Sequence, residues 1–220
     1  LMAELREGDI LILMSDHGMG RVTKFVNVNS WLMREGFVSL KRDLGSRLRY
    51  ALFRSGFNYY AVGRFVLRGG WGKQAVQMGR GRRQELQEQV FFSFRDVDWS
   101  RTRAYSMGNY GQIFVNLRGR EPEGCVSPGS EYEEVLDELT DRLHSLVDPE
   151  SGERVVERVF RAREVYSGRY VEKAPDLMFV TSDMEYKALG LSDFNSPHVL
   201  EPVYGCTGNH RMEGTLAVQG

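Results

Sequence analysis

Asp16 and His17 stand side by side in Ser15-Asp16-His17-Gly18-Met19-Gly20, directly behind the apolar run Ile10-Leu11-Ile12-Leu13-Met14. A carboxylate and a neutral imidazole are both good ligands for zinc or a similar divalent ion. Neighbouring residues of a regular strand point to opposite faces, so both reach one ion only if the backbone turns between them. Gly18 and Gly20 permit that turn. The pair has a second reading, with Asp16 capping a following helix and His17 on the surface. A further imidazole, His210, lies far away in Thr207-Gly208-Asn209-His210-Arg211-Met212-Glu213-Gly214, between loop residues and a strand candidate.

Such side chains need a frame. Five apolar residues bounded by Asp9 and Ser15 read as a strand buried on both faces, as in a parallel sheet covered by helices. In open α/β sheets, ligands bind beyond the carboxyl ends of such strands. Leu1 to Arg6 reads as the last turns of a helix with Gly8 in the C-cap position. Thr215 to Val218 is strand-like. A chain opening inside a helix and closing on a strand is expected to be cut from something longer. Asn27 to Val38 predicts a short helix capped by Asn29 or Ser30, burying Trp31, Leu32 and Met33 and ending at Gly36. The strongest helix begins at Ser130. Ser130 and Glu133 read as a capping box, and Val135, Leu136, Leu139, Leu143 and Leu146 recur on one face. Ile113–Val115, Val155–Phe160 and Leu177–Thr181 are strand candidates, the last entered through Pro175.

A net charge of −1 conceals a segregation. Lys41 to Arg83 holds eleven Lys/Arg and one acid, Asp43, whereas Glu121 to Glu157 holds twelve Asp/Glu and two Arg. The basic stretch suits steering of an anionic substrate, or is one solvated face. Its glycines predict two short helices in place of one long one. No apolar run approaches the length of a membrane span. The opening residues do not read as a signal peptide. Cys125 and Cys206 form neither a metal spacing nor a disulfide framework. A cytoplasmic setting is the expectation.

Ser-Asp-His-Gly-Met-Gly followed by a distant Gly-Asn-His-Arg-Met-Glu-Gly resembles the type I phosphodiesterase/nucleotide pyrophosphatase branch of the alkaline phosphatase superfamily. The intervening sequence is similar to the predicted phosphohydrolase or phosphomutase members. The pieces are Asn29-Ser30-Trp31-Leu32 with Gly36-Phe37, Ile113 to Leu117 with Gly119-Arg120-Glu121-Pro122, and Ala174-Pro175-Asp176-Leu177. The resemblance implies two divalent ions, zinc first, with manganese or magnesium as alternatives. Asp16 and His17 would ligate the ion that holds a Thr or Ser nucleophile, and His210 the other. The family's other elements are missing from the pattern: an N-terminal Asp, the nucleophile, and an upstream Asp-x-x-x-His pair. The site reads as incomplete and this chain alone as inactive, with no catalytic residue of its own.

Other residues carry blander expectations. Asp176 reads as structural. His198 is a loop residue that could approach the site. Arg118 and Arg120 could contact phosphate but suit solvation better. Trp31, Trp71 and Trp99 suit packing better than base stacking. The whole predicts an α/β fold, part of an alkaline-phosphatase-like central sheet flanked by helices, with an inserted helical cap. Residues 1–26 and 158–220 would form the metal-binding core, and 27–157 the cap and connection. The predicted function is metal-dependent cleavage of a small phosphate ester, with a phosphomutase as one alternative. The other is a polyanion or nucleic-acid-binding module on Lys41–Arg83, where aromatics interleave with arginines. No membrane partner is expected, nucleic acid is the lesser reading, and an unpaired edge at Ile10–Met14 would invite self-association.

Overall fold

The computed structural model describes residues 6, 8–58, 61–62, 90–191, 194–203 and 208–219. In chain order the elements are β1 (Leu11–Met14), β2 (Gly18–Arg21), β3 (Lys24–Asn27), α1 (Val28–Arg34) and α2 (Leu44–Arg54). There follow β4 (Ala104–Tyr105), β5 (Gln112–Val115), α3 (Ser130–His144), β6 (Val156–Arg161) and α4 (Ala162–Val165). The last are β7 (Leu177–Thr181), β8 (Tyr186–Leu189), β9 (Leu200–Pro202), β10 (Gly208–Arg211) and β11 (Leu216–Gln219). The fold is α/β.

Strands of alternating burial build the largest sheet, ordered β4-β5-β7-β6 and antiparallel throughout. Leu177, Phe179 and Thr181 of β7 face inward while Met178 and Val180 are only half-buried, the period-2 signature of a sheet with one covered face. The cover is α3, whose Val135, Leu136, Leu139 and Leu143 are all buried and whose neighbours are β6 and β5. Burying each such side chain contributes about 1.5–3 kcal/mol. Leu139→Ala would leave a cavity costing about 2–5 kcal/mol. A second sheet, β8-β3-β9, pairs β3 with β8 in parallel and with β9 antiparallel. Trp31 and Leu32 of α1, with Phe37 behind it, extend the same hydrophobic core.

Buried polar groups tie these layers. The Asn29 amide donates to the carbonyls of Ser106 and Leu191 at 2.9 and 3.0 Å, and its oxygen accepts from the Ser106 N–H at 2.8 Å. Ser30 donates to the Ser196 carbonyl at 2.5 Å. Asp176, at the entry to β7, accepts from the Val115 N–H, both Nη groups of Arg120 and the Tyr132 hydroxyl, at 2.6–2.8 Å. Asp176 is therefore structural, and Arg120 is committed to it. Arg118 is exposed and donates to the Cys125 carbonyl.

Several local expectations are corrected. Ile10–Met14 is not a doubly buried strand of a parallel sheet. Among the described residues β1 pairs with β11 alone, antiparallel, and Ile12, Leu13 and Met14 are 58%, 66% and 69% exposed. Nothing covers either face of this two-stranded ribbon among the described residues. Asn29 and Ser30 do not cap α1. Asn27 stands at the N-cap, without a side-chain bond, and the other two are buried inside the helix as interlayer donors. The Ser130–Glu133 capping box is absent too. Gly129 is the N-cap at φ 97°, and Glu131 reaches back to accept from the Ser127 N–H at 2.8 Å.

Of the basic stretch, only the part through 58 and residues 61–62 falls within the described residues. α2 runs through Gly45, starts on Asp43 accepting from the Ser46 N–H, and is pinned by Arg49 to the buried Asp96. The predicted second helix, Trp71 and most of the helix before Gly8 lie outside the described residues. Trp31 is fully buried and Trp99 half-buried against the core, as packing anchors would be.

Candidate functional site

The chain leaves β1 at Ser15, whose N–H donates to the Thr215 carbonyl and whose hydroxyl accepts from the Thr215 N–H, both at 2.8 Å. It turns at Asp16 and His17 and enters β2. There it meets β10 antiparallel, with Gly18 opposite Arg211 and Met19 opposite His210. At Gly18 and Gly214, where backbone faces backbone, this close approach requires glycine. A Cβ on Gly18 would collide with the Glu213 carbonyl, one on Gly214 with the Ser15 carbonyl, and one on Gly20 with the Arg211 guanidinium.

This register brings His17 and His210 together. Their rings stack with centroids 3.7 Å apart and planes 18° from parallel. His17 Nδ1 lies 2.9 Å from the Gly18 carbonyl oxygen. A carbonyl only accepts, so Nδ1 carries a proton, and in the neutral ring Nε2 then keeps its lone pair. Asp16 Oδ1 lies 3.7 Å from that Nε2. Asp16 is exposed, His17 half-buried and His210 exposed.

The other sequence candidates lie apart. His198 is exposed on the loop before β9, where its carbonyl accepts from the Asn27 amide at 2.8 Å. Arg120 is held by Asp176. Cys125 is a free, half-buried thiol donating to the Thr102 carbonyl, and burial pushes its pKa up. Cys206 lies outside the described residues.

One feature of this region was not legible in the pattern. On β10, Asn209 helps to line a cavity of about 550 Å³ with Tyr110, Phe160, Met178, Phe179 and Tyr186. Alternation along a strand sets Asn209 on the face opposite His210. Its wall is assembled from β6, β7, β8 and β10, so no local motif announces it.

Residues 1–190 match the type I phosphodiesterase/nucleotide pyrophosphatase family. The chain belongs to that family. This places it in the alkaline phosphatase superfamily and makes phosphate esters its substrate class. The match takes in Asp16 and His17 and ends before His210. No curated protein and no solved structure matches the chain.

The donors available can be tested against the paired divalent ions that two-metal phosphodiesterases use. Two atoms ligating one zinc ion at about 2.0–2.2 Å stand roughly 3.4 Å apart when the shell is tetrahedral. Asp16 Oδ1 and His17 Nε2 come close to that separation. Imidazole lone pairs lie in the ring plane, so those of the stacked His17 and His210 rings lie in nearly parallel planes and do not meet on one ion. Ion pairs in two-metal sites stand about 3.5–4 Å apart, matching the ring separation. In donor type these three residues suit a pair of divalent ions. They do not complete such a site: among the described residues no group of three or more His, Cys, Asp or Glu is arranged to hold one ion.

Proposed function

We propose that this chain contributes part of a two-metal site for phosphate-ester hydrolysis, Asp16 and His17 holding one divalent ion and His210 the other. The observation that carries the reading is the stacked imidazole pair beside the Asp16 carboxylate. Zinc suits these N and O donors best, with manganese or magnesium as alternatives. When bound, such ions polarise phosphoryl oxygens and offset the charge of an in-line displacement.

The chain's own residues supply position and tautomer. The Gly18 carbonyl holds the His17 Nδ1 proton and leaves Nε2 free. The β2–β10 register fixes His210 over His17. Three donors are too few for two coordination shells of about four. On this reading the nucleophile, a Thr or Ser, and the remaining ligands belong to a part of the protein outside these 220 residues, and this chain alone is inactive. The β1–β11 and β2–β10 pairings join residues 1–26 to 158–220 and support a metal-bearing unit built from those segments, with 27–157 carried between them. β7 nevertheless shares a sheet with β5, so the two parts are packed as one body. A reducing, cytoplasmic setting accompanies the proposal, supported by the free thiol of Cys125; no helix among the described residues is long and apolar enough to cross a membrane.

The test is cobalt(II) titration of the purified chain, followed by ligand-field absorbance, alongside aryl phosphodiester assays with zinc, manganese and magnesium. Weak binding is expected, at least about tenfold weaker in His17→Ala and in His210→Ala, with no turnover. Unchanged binding in both variants would sink the metal assignment. Metal-dependent turnover lost in His17→Ala would show that the nucleophile lies within the chain.

A further inference from the structure

Beside β4, three aromatic side chains stand almost mutually perpendicular. Phe94 and Trp99 meet at 85°, Phe94 and Tyr105 at 88°, and Trp99 and Tyr105 at 90°. Their centroids are 5.2, 6.2 and 5.3 Å apart. With Met107, Glu121 and Glu123 they line a cavity of about 290 Å³. All three rings stay partly exposed, whereas Phe92 and Phe194 behind them are buried.

The corner is held in place from outside. Tyr105 stacks on Phe114 with an interplanar angle of 16°, and Phe94 packs edge-on against Phe194. The Asn116 amide donates to the Trp99 and Glu123 carbonyls at 2.8 and 3.1 Å, linking the aromatic wall to the acidic one. Glu121 accepts from Arg120 Nε at 3.1 Å. Glu123 is exposed, and its carboxylate joins no ion pair among the described residues.

Aromatic faces carry the negative part of the ring quadrupole and attract cations within about 6 Å of the centroid. A cation about 4 Å above each of three perpendicular faces sees centroids about 5.7 Å apart, close to those found here. Ring faces cannot accept several directed hydrogen bonds, so an ammonium stripped of its N–H groups is accommodated better than a primary amine. The volume lies at the small end of ligand sites, which span about 300–1,000 Å³. We propose that the Phe94–Trp99–Tyr105 corner binds the methylated ammonium group of a small, soluble quaternary amine, with Glu123 at the mouth as counter-charge. None of these residues lies on β2 or β10, so the site is independent of the phosphate-ester reading.

The experiment titrates the full chain with tetramethylammonium and choline and, separately, with the uncharged choline isostere 3,3-dimethylbutan-1-ol, by calorimetry and tryptophan fluorescence. Saturable binding of both cations is expected, choline about tenfold or more tighter than the alcohol. Trp99→Ala should weaken cation binding about tenfold and Glu123→Gln about threefold. Equal affinity for choline and the alcohol, or no saturable binding of either cation, would overturn the proposal. So would an unchanged affinity in Glu123→Gln, an exposed position whose substitution leaves the fold intact.

Discussion

The imidazoles of His17 and His210 lie face to face, 3.7 Å between centroids, although one follows the first strand and the other sits on the tenth. The contact exists because β2 and β10 pair antiparallel with Met19 opposite His210. It depends on glycine. Gly18→Ala forces a Cβ into the Glu213 carbonyl, an overpacking that costs about 1–3 kcal/mol or splays the ribbon. The imidazole proton signals of His17 and His210 should then lose their mutual ring-current shifts, and cobalt(II) binding should fall with them. Retention of both would show that the ribbon tolerates the methyl.

Asp176 is the anchor of the four-stranded sheet. Arg120→Ala leaves a buried carboxylate facing only Tyr132 and the Val115 N–H, and such a loss costs about 3–5 kcal/mol. Tyr132→Phe removes one hydrogen bond and should cost only about 0.5–1.5 kcal/mol. Urea midpoints with unchanged slopes would give both values. An Arg120→Ala protein as stable as the parent would remove Asp176 from this role.

Asp148 predicts a loss of stability in acid. Burial alone raises its pKa, but the Lys24 ammonium, the Glu150 N–H and the Tyr186 hydroxyl outweigh burial and hold the carboxyl below its ordinary 3.8. A depressed folded pKa contributes stability that is complete above the unfolded value and is lost as pH falls through the lower folded value. The pKa of Lys24 is raised by the hydrogen bonds its ammonium donates to Asp148 and Glu150, so its own contribution is complete below 10.5 and is lost only as pH rises beyond that. The urea midpoint should therefore fall below about pH 4, and more gently in Lys24→Met. Parallel acid profiles for the two proteins would contradict this.

The β1–β11 ribbon should drive self-association. Leu216 and Val218 of β11 are 70% and 62% exposed, and with Ile12, Leu13 and Met14 they form an apolar surface whose outer strand edges are unpaired among the described residues. Sedimentation velocity should show concentration-dependent oligomers that Ile12→Lys with Val218→Lys disperses. A monomer at all concentrations would refute the expectation.

Wherever spacing and local chemistry sufficed, the sequence by itself determined the outcome. The 3–4 residue recurrence of Val135, Leu136, Leu139 and Leu143 marks the buried face of α3, and the apolar run Leu177–Val180 entered through Pro175 marks β7. The glycines after Asp16 mark a special backbone position, but the turn itself falls on Asp16 and His17, and Gly18 and Gly20 lie in the extended β2. These patterns are local, and a helix or strand imposes them on a few neighbouring residues. Tertiary structure alone decided what covers each face. An apolar run states that burial is favourable, not that a layer is present to bury it, so Ile10–Met14 emerges exposed. Asn29 and Ser30 look like caps until Ser106 and Ser196 arrive from distant segments to accept their hydrogens. The stacking of His17 on His210, the junction at Asp176 and the perpendicular rings of Phe94, Trp99 and Tyr105 are all set by strand register and packing between remote parts of the chain. Short-range pattern holds no record of such partners, because the contact energy is realised only once the chain has closed upon itself.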